Sequence, residues 1–360
     1  MDWSKYLPIT GIPAFFHGNV TPYSESYTLS IQRELWRNTT FTTSYVGTQA
    51  HHLLVLTSAN PGNPSLCLSL SQPENVMPGT ATCGPFGESG VYVTRDGKVI
   101  QGTRSPFDAN FAAVTLQKTI GNSSYNALEV SLRHASNSLE LQIGYTFSKS
   151  LDQSSSLSEA VNPLNPRLSQ ALSAFDMRHN FVASYNWKLP FAGIFRRQNR
   201  LTDGWSLSGI TRMSTGMPVT LLNNNDTSLL GTIPNGINNN GVDTPDFTPG
   251  NLEINTNPRN GKPAFNTSLF SLPELGKMGT APRRFFYGPG MVNFDMALKK
   301  NLPLMESHSL ELRFEAFNLF NHAQFFGAAA VNGNITSPSF GQVIAATPAR
   351  VIQIAAKYSF

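Results

Sequence analysis

Glu311, Arg313 and Glu315 stand at alternate positions of one segment, with Glu129 and Glu140 in two others. Carboxylates paired at i and i+2 are the material of general acid–base catalysis, in which one holds the proton that the other gives up. On a strand, however, alternation puts all three groups on one wall, where the arginine between the glutamates and nearby lysines neutralise them. A polar lining is expected there, not a catalytic dyad. No G-x-S-x-G, H-E-x-x-H, P-loop or dinucleotide fingerprint occurs in the chain. The expectation is a protein that is not an enzyme, with no catalytic residue, no cofactor and no metal.

Three further groups have ligating chemistry. His51 and His52 are adjacent, so on a strand they point to opposite faces and cannot readily hold one ion together; they are expected at a rim, like His322. Asn223-Asn224-Asn225-Asp226 and Asn238-Asn239-Asn240-Gly241-Val242-Asp243 offer oxygen ligands. They lack the alternating acids and closing glutamate of a calcium loop, so polar loops are expected. Cys67 and Cys83, in a Pro/Gly/Ser-rich stretch, have the spacing of a loop disulfide in an oxidising compartment, worth about 3 kcal/mol by loop-closure entropy.

The elements that carry these residues repeat every two positions. In the last segment Ile352, Ile354, Ala356, Tyr358 and Phe360 alternate with Gln353, Ala355, Lys357 and Ser359. Leu310, Leu312 and Phe314 alternate with Glu311, Arg313 and Glu315. The same pattern marks segments near Tyr27, Phe41, Leu128, Leu139, Phe181, Trp205 and Val292. That makes about nine strands, each with one apolar and one polar face. Charges at every second position need water on their side, which a solvated lumen supplies while the aliphatic positions meet lipid. Trp187, Trp205, Tyr145, Phe147, Tyr185, Tyr358 and Phe360 lie toward strand ends, as an interfacial girdle requires.

Connections alternate in length. Those after Arg37, Ala135, Leu189 (through Arg196-Arg197-Gln198-Asn199-Arg200) and Leu302 are short to moderate. Those at about 51–123, 150–177, 220–290 and 322–349 are long and rich in Gly, Pro, Asn and Ser. Short turns at one rim and long loops at the other are the asymmetry of an outer-membrane β-barrel.

Composition agrees with this class. Only 13% of the 360 residues are charged against 40% hydrophobic, and the mean hydropathy of −0.18 suits strands whose polar and apolar residues alternate. No apolar run of transmembrane-helix length occurs. The net charge of +4 is scattered singly, so no nucleic-acid partner is expected. The start, Met1-Asp2-Trp3-Ser4-Lys5-Tyr6, does not read as a signal peptide. An odd strand count with Phe360 at the periplasmic rim puts Met1 in an extracellular loop, so the chain reads as the C-terminal part of a longer barrel.

Several motifs, in order, carry a resemblance. They are Gln32-Arg33-Glu34-Leu35, Tyr45-Val46-Gly47-Thr48-Gln49, Gly144-Tyr145-Thr146-Phe147-Ser148-Lys149-Ser150, Phe175-Asp176-Met177-Arg178-His179-Asn180-Phe181, Gly204-Trp205-Ser206-Leu207-Ser208-Gly209, Gly288-Pro289-Gly290 and the run Ser307 to His322. Together the chain resembles the closing strands of Oar-like TonB-dependent outer-membrane receptors of the acidobacterial type. The resemblance implies a barrel of about 22 strands, of which residues 1–360 form a single partial domain without plug or signal peptide. It also implies uptake of an unidentified nutrient in the bacterial outer membrane. The expected partners are outer-membrane lipid, an unknown extracellular ligand, the barrel-assembly machinery, and the TonB complex only through N-terminal parts missing here. Leu310, Leu312, Phe314, Ile352 and Ile354 are expected to face lipid. Glu311, Arg313, Glu315, Gln353 and Lys357 are expected to face the lumen, with Tyr358 and Phe360 as the assembly signal. A passive structural, adhesin or porin-like outer-membrane protein without TonB coupling is the alternative.

Overall fold

The computed structural model describes residues 12–106, 111–157, 159–195, 199–232, 242–255, 257–305 and 307–360. Nine strands make its wall: β1 (Tyr23–Trp36), β2 (Thr39–Ser58), β3 (Val114–Ala135), β4 (Leu139–Asp152), β5 (His179–Lys188), β6 (Trp205–Ser214), β7 (Met291–Pro303), β8 (Ser309–Phe317) and β9 (Val351–Ser359). Each pairs antiparallel with the next, so their order in space is their order in the chain. Three short segments, Ile12–Phe15, Ala160–Val161 and Ala171–Leu172, add to β3, β2 and β4. The wall ends at β1 and β9, which do not pair with one another, so the barrel is not closed.

The register sorts the side chains into two faces. One row runs Leu139, Trp187, Leu207, Leu298, Phe314, Ile354 across six strands. A second row on the same face runs Val130, Tyr145, Phe181, Met213, Val292. One residue along, the opposite face carries Glu140, Asn186, Ser208, Ala297, Glu315, Gln353. The apolar face is uncovered: Phe147, Trp187, Phe314 and Ile354 are all exposed. From Trp187 to His179, the eight residue-to-residue steps of β5 span about 27 Å along the strand. At a tilt near 40° that is about 21 Å of height, close to the apolar band of about 25 Å in such barrels.

The turns and loops keep the alternation expected of them, with moved boundaries. β1 and β2 meet at Arg37-Asn38, where Asn38 takes φ 63°, a left-handed conformation that asparagine tolerates. The loop expected from about 51 begins only after Ser58 and ends before Val114, because β2 and β3 continue as a paired ribbon past the wall. The other three long loops start after Asp152, Ser214 and Phe317. Within the ribbon, β2 bulges between Ala50 and Leu53, with His52 at φ 56°. That bulge breaks the alternation expected of His51 and His52: both rings lie near Tyr23, at 5.2 and 5.8 Å.

The buried core lies in the loops, not the wall. Val219, Leu221, Ala264, Phe265, Phe270, Ala281, Phe286 and Val331 form one cluster. Around Phe265 and Phe270 the rings of Phe286 and Phe340 pack mostly edge to face, at centroid distances of 4.9 to 6.3 Å. A second cluster gathers Cys67, Leu70, Val76, Cys83 and Tyr92 of the first long loop with Leu229 of the third. A barrel wall one strand thick has no interior of its own, so the long connections bury what apolar surface they carry among themselves.

Candidate functional site: the loop cap

The four long loops fold together into a cap at one end of the wall. A backbone bridge from Leu222 to Asn334 joins the third and fourth loops, and one from Val331 to Val343 closes the fourth on itself. In the first loop, α1 (Pro64–Ser71) starts from Asn63, whose side chain accepts the Leu66 N–H, with Pro64 in its first turn. Cys67 on this helix is bonded to Cys83, with Cα atoms 5.2 Å apart.

A buried ion network ties the second and third loops to the end of β4. Arg284, with no exposed surface, donates to Glu159 at 2.6 and 3.1 Å, to Ser155 Oγ at 2.7 Å and to the Leu172 carbonyl at 2.7 Å. Arg283 reaches Asp152 at 3.1 Å and Glu159 at 2.8 Å. Two cations face two carboxylates, so the buried charge balances. Burial alone would raise the Glu159 carboxyl, but its hydrogen bonds to Arg284 and the field of both guanidiniums hold it below its ordinary value. Burial, then the neighbouring Arg284, pulls Arg283 down to about 10.

Asp226 is the opposite case. It is fully buried, and its two oxygens accept the N–H groups of Phe86 at 3.0 Å and Gly231 at 2.9 Å. Burial pushes its carboxyl up to about 6, with Glu88 and Asp243 adding repulsion. Arg104, a cation whose field reaches this group, is taken by Glu88 at 2.6 Å. Asn223 and Asp243 are also buried, so these positions are interior fasteners of the cap where a solvated polar loop was expected. Asn238, Asn239, Asn240 and Gly241 lie outside the described residues. Among the described residues no group of three or more His, Cys, Asp or Glu is arranged to hold a metal ion.

Two clefts open where the cap meets the wall. One, of about 370 Å³, is lined by Arg178, Thr215, Ile254, Phe285, Phe286 and Tyr287. The Arg178 guanidinium lies 4.9 Å over the Tyr287 ring. The Tyr287 hydroxyl donates to Asp176 at 2.5 Å, and Asp176 also accepts the Ser150 N–H at 2.6 Å. Burial and the Asp176 carboxylate push the Tyr287 phenol up to about 12, so it stays a neutral donor. The second cleft, of about 340 Å³, is lined by Arg259, His322 and Gln324 among others. Exposed cations beside aromatic walls can bind an anion. His322 does not end a strand as expected: β8 stops at Phe317, and the His322 N–H donates to Asn318 Oδ1 at 3.0 Å.

On the wall, the expected lumen residues share the polar face and touch one another. Arg313 reaches Glu311 at 2.7 Å and Glu315 at 3.5 Å, while Lys357 pairs across from Glu311 and Gln353 from Glu315. Leu310, Leu312, Phe314, Ile352 and Ile354 share the other face. Tyr358 stacks on His308, its hydroxyl 2.6 Å from His308 Nδ1, and Phe360 is 91% exposed. The sequence reading missed Arg283 and Arg284. The available signal was a charged pair directly before Phe285-Phe286-Tyr287, because cations beside a buried apolar run need buried partners.

A family model described as an outer membrane beta barrel domain matches residues 7–353. This chain belongs to the outer membrane beta-barrel family. Its wall is therefore an outer-membrane wall, with the short turns on the periplasmic side and the cap outside. No curated protein matches the chain. Solved structures similar to this barrel include the outer membrane transporter YddB from Escherichia coli, with a TM-score of 0.45 and 8% identity, over 98% of this chain and 34% of that one. The siderophore receptor PirA from Acinetobacter baumannii gives 0.43 and 10%, over 94% and 32%. The ferric-catecholate import receptor Fiu from E. coli K12 gives 0.42 and 11%, over 97% and 30%. The barrel chain spans about a third of the length of these structures.

Proposed function

We propose that this chain is the C-terminal part of the barrel of an Oar-like TonB-dependent receptor, which captures a nutrient at its cap and passes it through the lumen. The observation that carries the reading is the cap itself. At one end of the wall the third loop shares one apolar core with the fourth, a second with the disulfide-closed first loop, and a buried ion network with the second. A preformed surface with clefts suits ligand capture, whereas a passive pore needs no such folded roof. The ordered motifs from Gln32 to His322 support the family branch. In this reading residues 1–360 are one partial barrel domain. Leu310, Leu312, Phe314, Ile352 and Ile354 face lipid, and Glu311, Arg313, Glu315, Gln353 and Lys357 face the lumen. Tyr358 and Phe360 are read by the barrel-assembly machinery, and the TonB complex acts through segments N-terminal to this one.

The test is the DNA directly upstream of the Met1 codon. A plug and a TonB box in the same frame are expected. An in-frame stop there would leave a passive outer-membrane protein and overturn TonB coupling.

A further inference from the structure

The connection between β5 and β6 is the longest of the periplasmic turns, and its geometry is unlike theirs. It contains a short helix, α2 (Phe191–Phe195), followed by a tight turn in which the Asn199 side chain accepts the N–H groups of Leu201 and Thr202 at 2.8 and 3.0 Å. Trp205 and Lys300 are direct partners across β6 and β7, and both lie on the apolar face, in line with Leu207 and Leu298 two residues on. Both side chains reach back to this turn. Trp205 Nε1 donates to the Leu201 carbonyl at 2.7 Å, and Lys300 Nζ donates to the same carbonyl at 3.1 Å and to that of Asp203. The ammonium also sits 5.0 Å over the Trp205 ring, and Phe191 meets that ring edge-on at 6.2 Å.

The turn is thus clamped onto the outer, apolar side of the wall. A cation on that face would be costly in lipid, and here it is spent on two backbone carbonyls and an aromatic ring. Among the described residues, what the clamp presents outward is two apolar side chains beside a cation. Leu201 is 79% exposed, Ile194 64%, and Arg200 stands exposed beside Leu201. This patch continues the apolar face beyond Trp187 toward the periplasm.

We propose that residues 190–195 and 199–204 form a foot that lies in the phospholipid headgroup layer of the inner leaflet. Leu201 and Ile194 insert among the upper acyl carbons and Arg200 meets lipid phosphate. The foot is continuous with a face that belongs to lipid, the Arg200 cation is complementary to phosphodiester, and Leu201 and Ile194 have no cover among the described residues. Side chains with an apolar body and one cation settle at that depth. The foot rests on the outer-membrane reading of the wall and goes beyond it, because a periplasmic turn need only join two strands.

The test uses single-cysteine probes. Cys67 and Cys83 are bonded to each other, so an added thiol in Leu201→Cys or Ile194→Cys is the one to be labelled. Ile354→Cys serves as a wall control and Lys98→Cys as a cap control. Each full-length variant carries a bimane label and is placed in phosphatidylethanolamine/phosphatidylglycerol vesicles. Quenching is measured with headgroup-linked nitroxide lipid, acyl-linked nitroxide lipid and iodide. Labels at 201 and 194 are expected to shift emission to the blue and to quench with the headgroup nitroxide. They should lose the iodide quenching that the label at 98 keeps. If the label at 354 meets the acyl nitroxide while those at 201 and 194 stay open to iodide, the foot is overturned and the wall reading stands. If the label at 354 also stays open to iodide, the lipid-facing assignment fails and the foot fails with it.

Discussion

Tyr27 on β1 lies across Gly47, its direct partner on β2, so closely that a Cβ on Gly47 would meet the ring at 2.1 Å. The phenol then reaches Asn126 on β3 at 3.3 Å, beside the Tyr45 phenol at 2.8 Å. Tyr185 covers Gly209 in the same way on β5 and β6, and there the added Cβ also meets the Asp295 carbonyl at 2.7 Å. The two sites predict different costs. At Gly47 only the far end of a mobile ring must move, so Gly47→Ala should cost under about 1 kcal/mol. At Gly209 backbone must move too, so Gly209→Ala should cost about 1–3 kcal/mol. Urea unfolding in lipid vesicles, followed by the heat-dependent gel shift, gives both values; equal costs would refute the distinction.

Arg284 holds the cap to the end of β4. Arg284→Met removes one of the two cations that pair Glu159 and leaves the buried site with an excess carboxylate, which costs about 3–5 kcal/mol when one partner alone is lost. The expected result is a wall that still inserts and a cap that chymotrypsin cuts, with the first cuts in the second and third loops. The double variant Arg284→Met with Glu159→Gln should recover part of the protection, because no buried charge is then stranded. Equal cutting of the single and double variants would mean that the ion network does not hold the loops.

Asp226 makes the cap sensitive to pH. Its folded value, about 6, lies above the ordinary 3.8, so ionisation works against the folded state. The contribution is fully present below pH 4 and is lost as pH rises through 6, a difference of about 2–3 kcal/mol. Amide exchange at Phe86 and Gly231, whose N–H groups the carboxyl accepts, should therefore show easier opening at pH 8 than at pH 5 once intrinsic rates are removed. Asp226→Asn should flatten this dependence. Protection that rises with pH would reverse the assigned sign.

The wall was legible and the cap was not, for physical reasons. A strand between water and lipid must alternate, so residues such as Leu310 to Phe314 declare their faces locally. Cap partners obey no period: Arg284 meets Glu159 from 125 residues away, and Phe265, Phe270, Phe286 and Phe340 are spaced irregularly. Asn223 and Asp226 read as solvated because polar runs usually are. The burial of Asp226 depends on the Gly231 N–H and on that of Phe86, which only the folded loops bring near, while Asn223 is satisfied by Thr227 and Asn225. His51 and His52 misled for a local reason, since one bulge cancels the alternation on which the argument stood.

Phe314 and Glu315 are neighbours on β8 that the register places on opposite faces, which makes a paired test of sidedness. Phe314→Arg puts a charge on the expected lipid face and should lower vesicle insertion by about 2–4 kcal/mol if the site lies near the bilayer midplane. Glu315→Gln, on the polar face, should change insertion little. A wall with the opposite sidedness would reverse the two results.

The terminal residues separate assembly from stability. Tyr358 is engaged by His308 through stacking and a hydrogen bond, whereas Phe360 is nearly bare, with its ring 6.2 Å from that of Tyr358. Removing an exposed ring at a chain end forfeits little packing, so Phe360→Asp should leave the urea midpoint of refolded protein almost unchanged. If Phe360 is read by the assembly machinery, the same variant should reach the outer membrane poorly in cells. Tyr358→Phe should do the reverse, with normal delivery and a loss of about 1 kcal/mol from the missing hydrogen bond. Normal delivery of Phe360→Asp in cells would remove Phe360 from the assembly signal and leave Tyr358 as a structural residue alone.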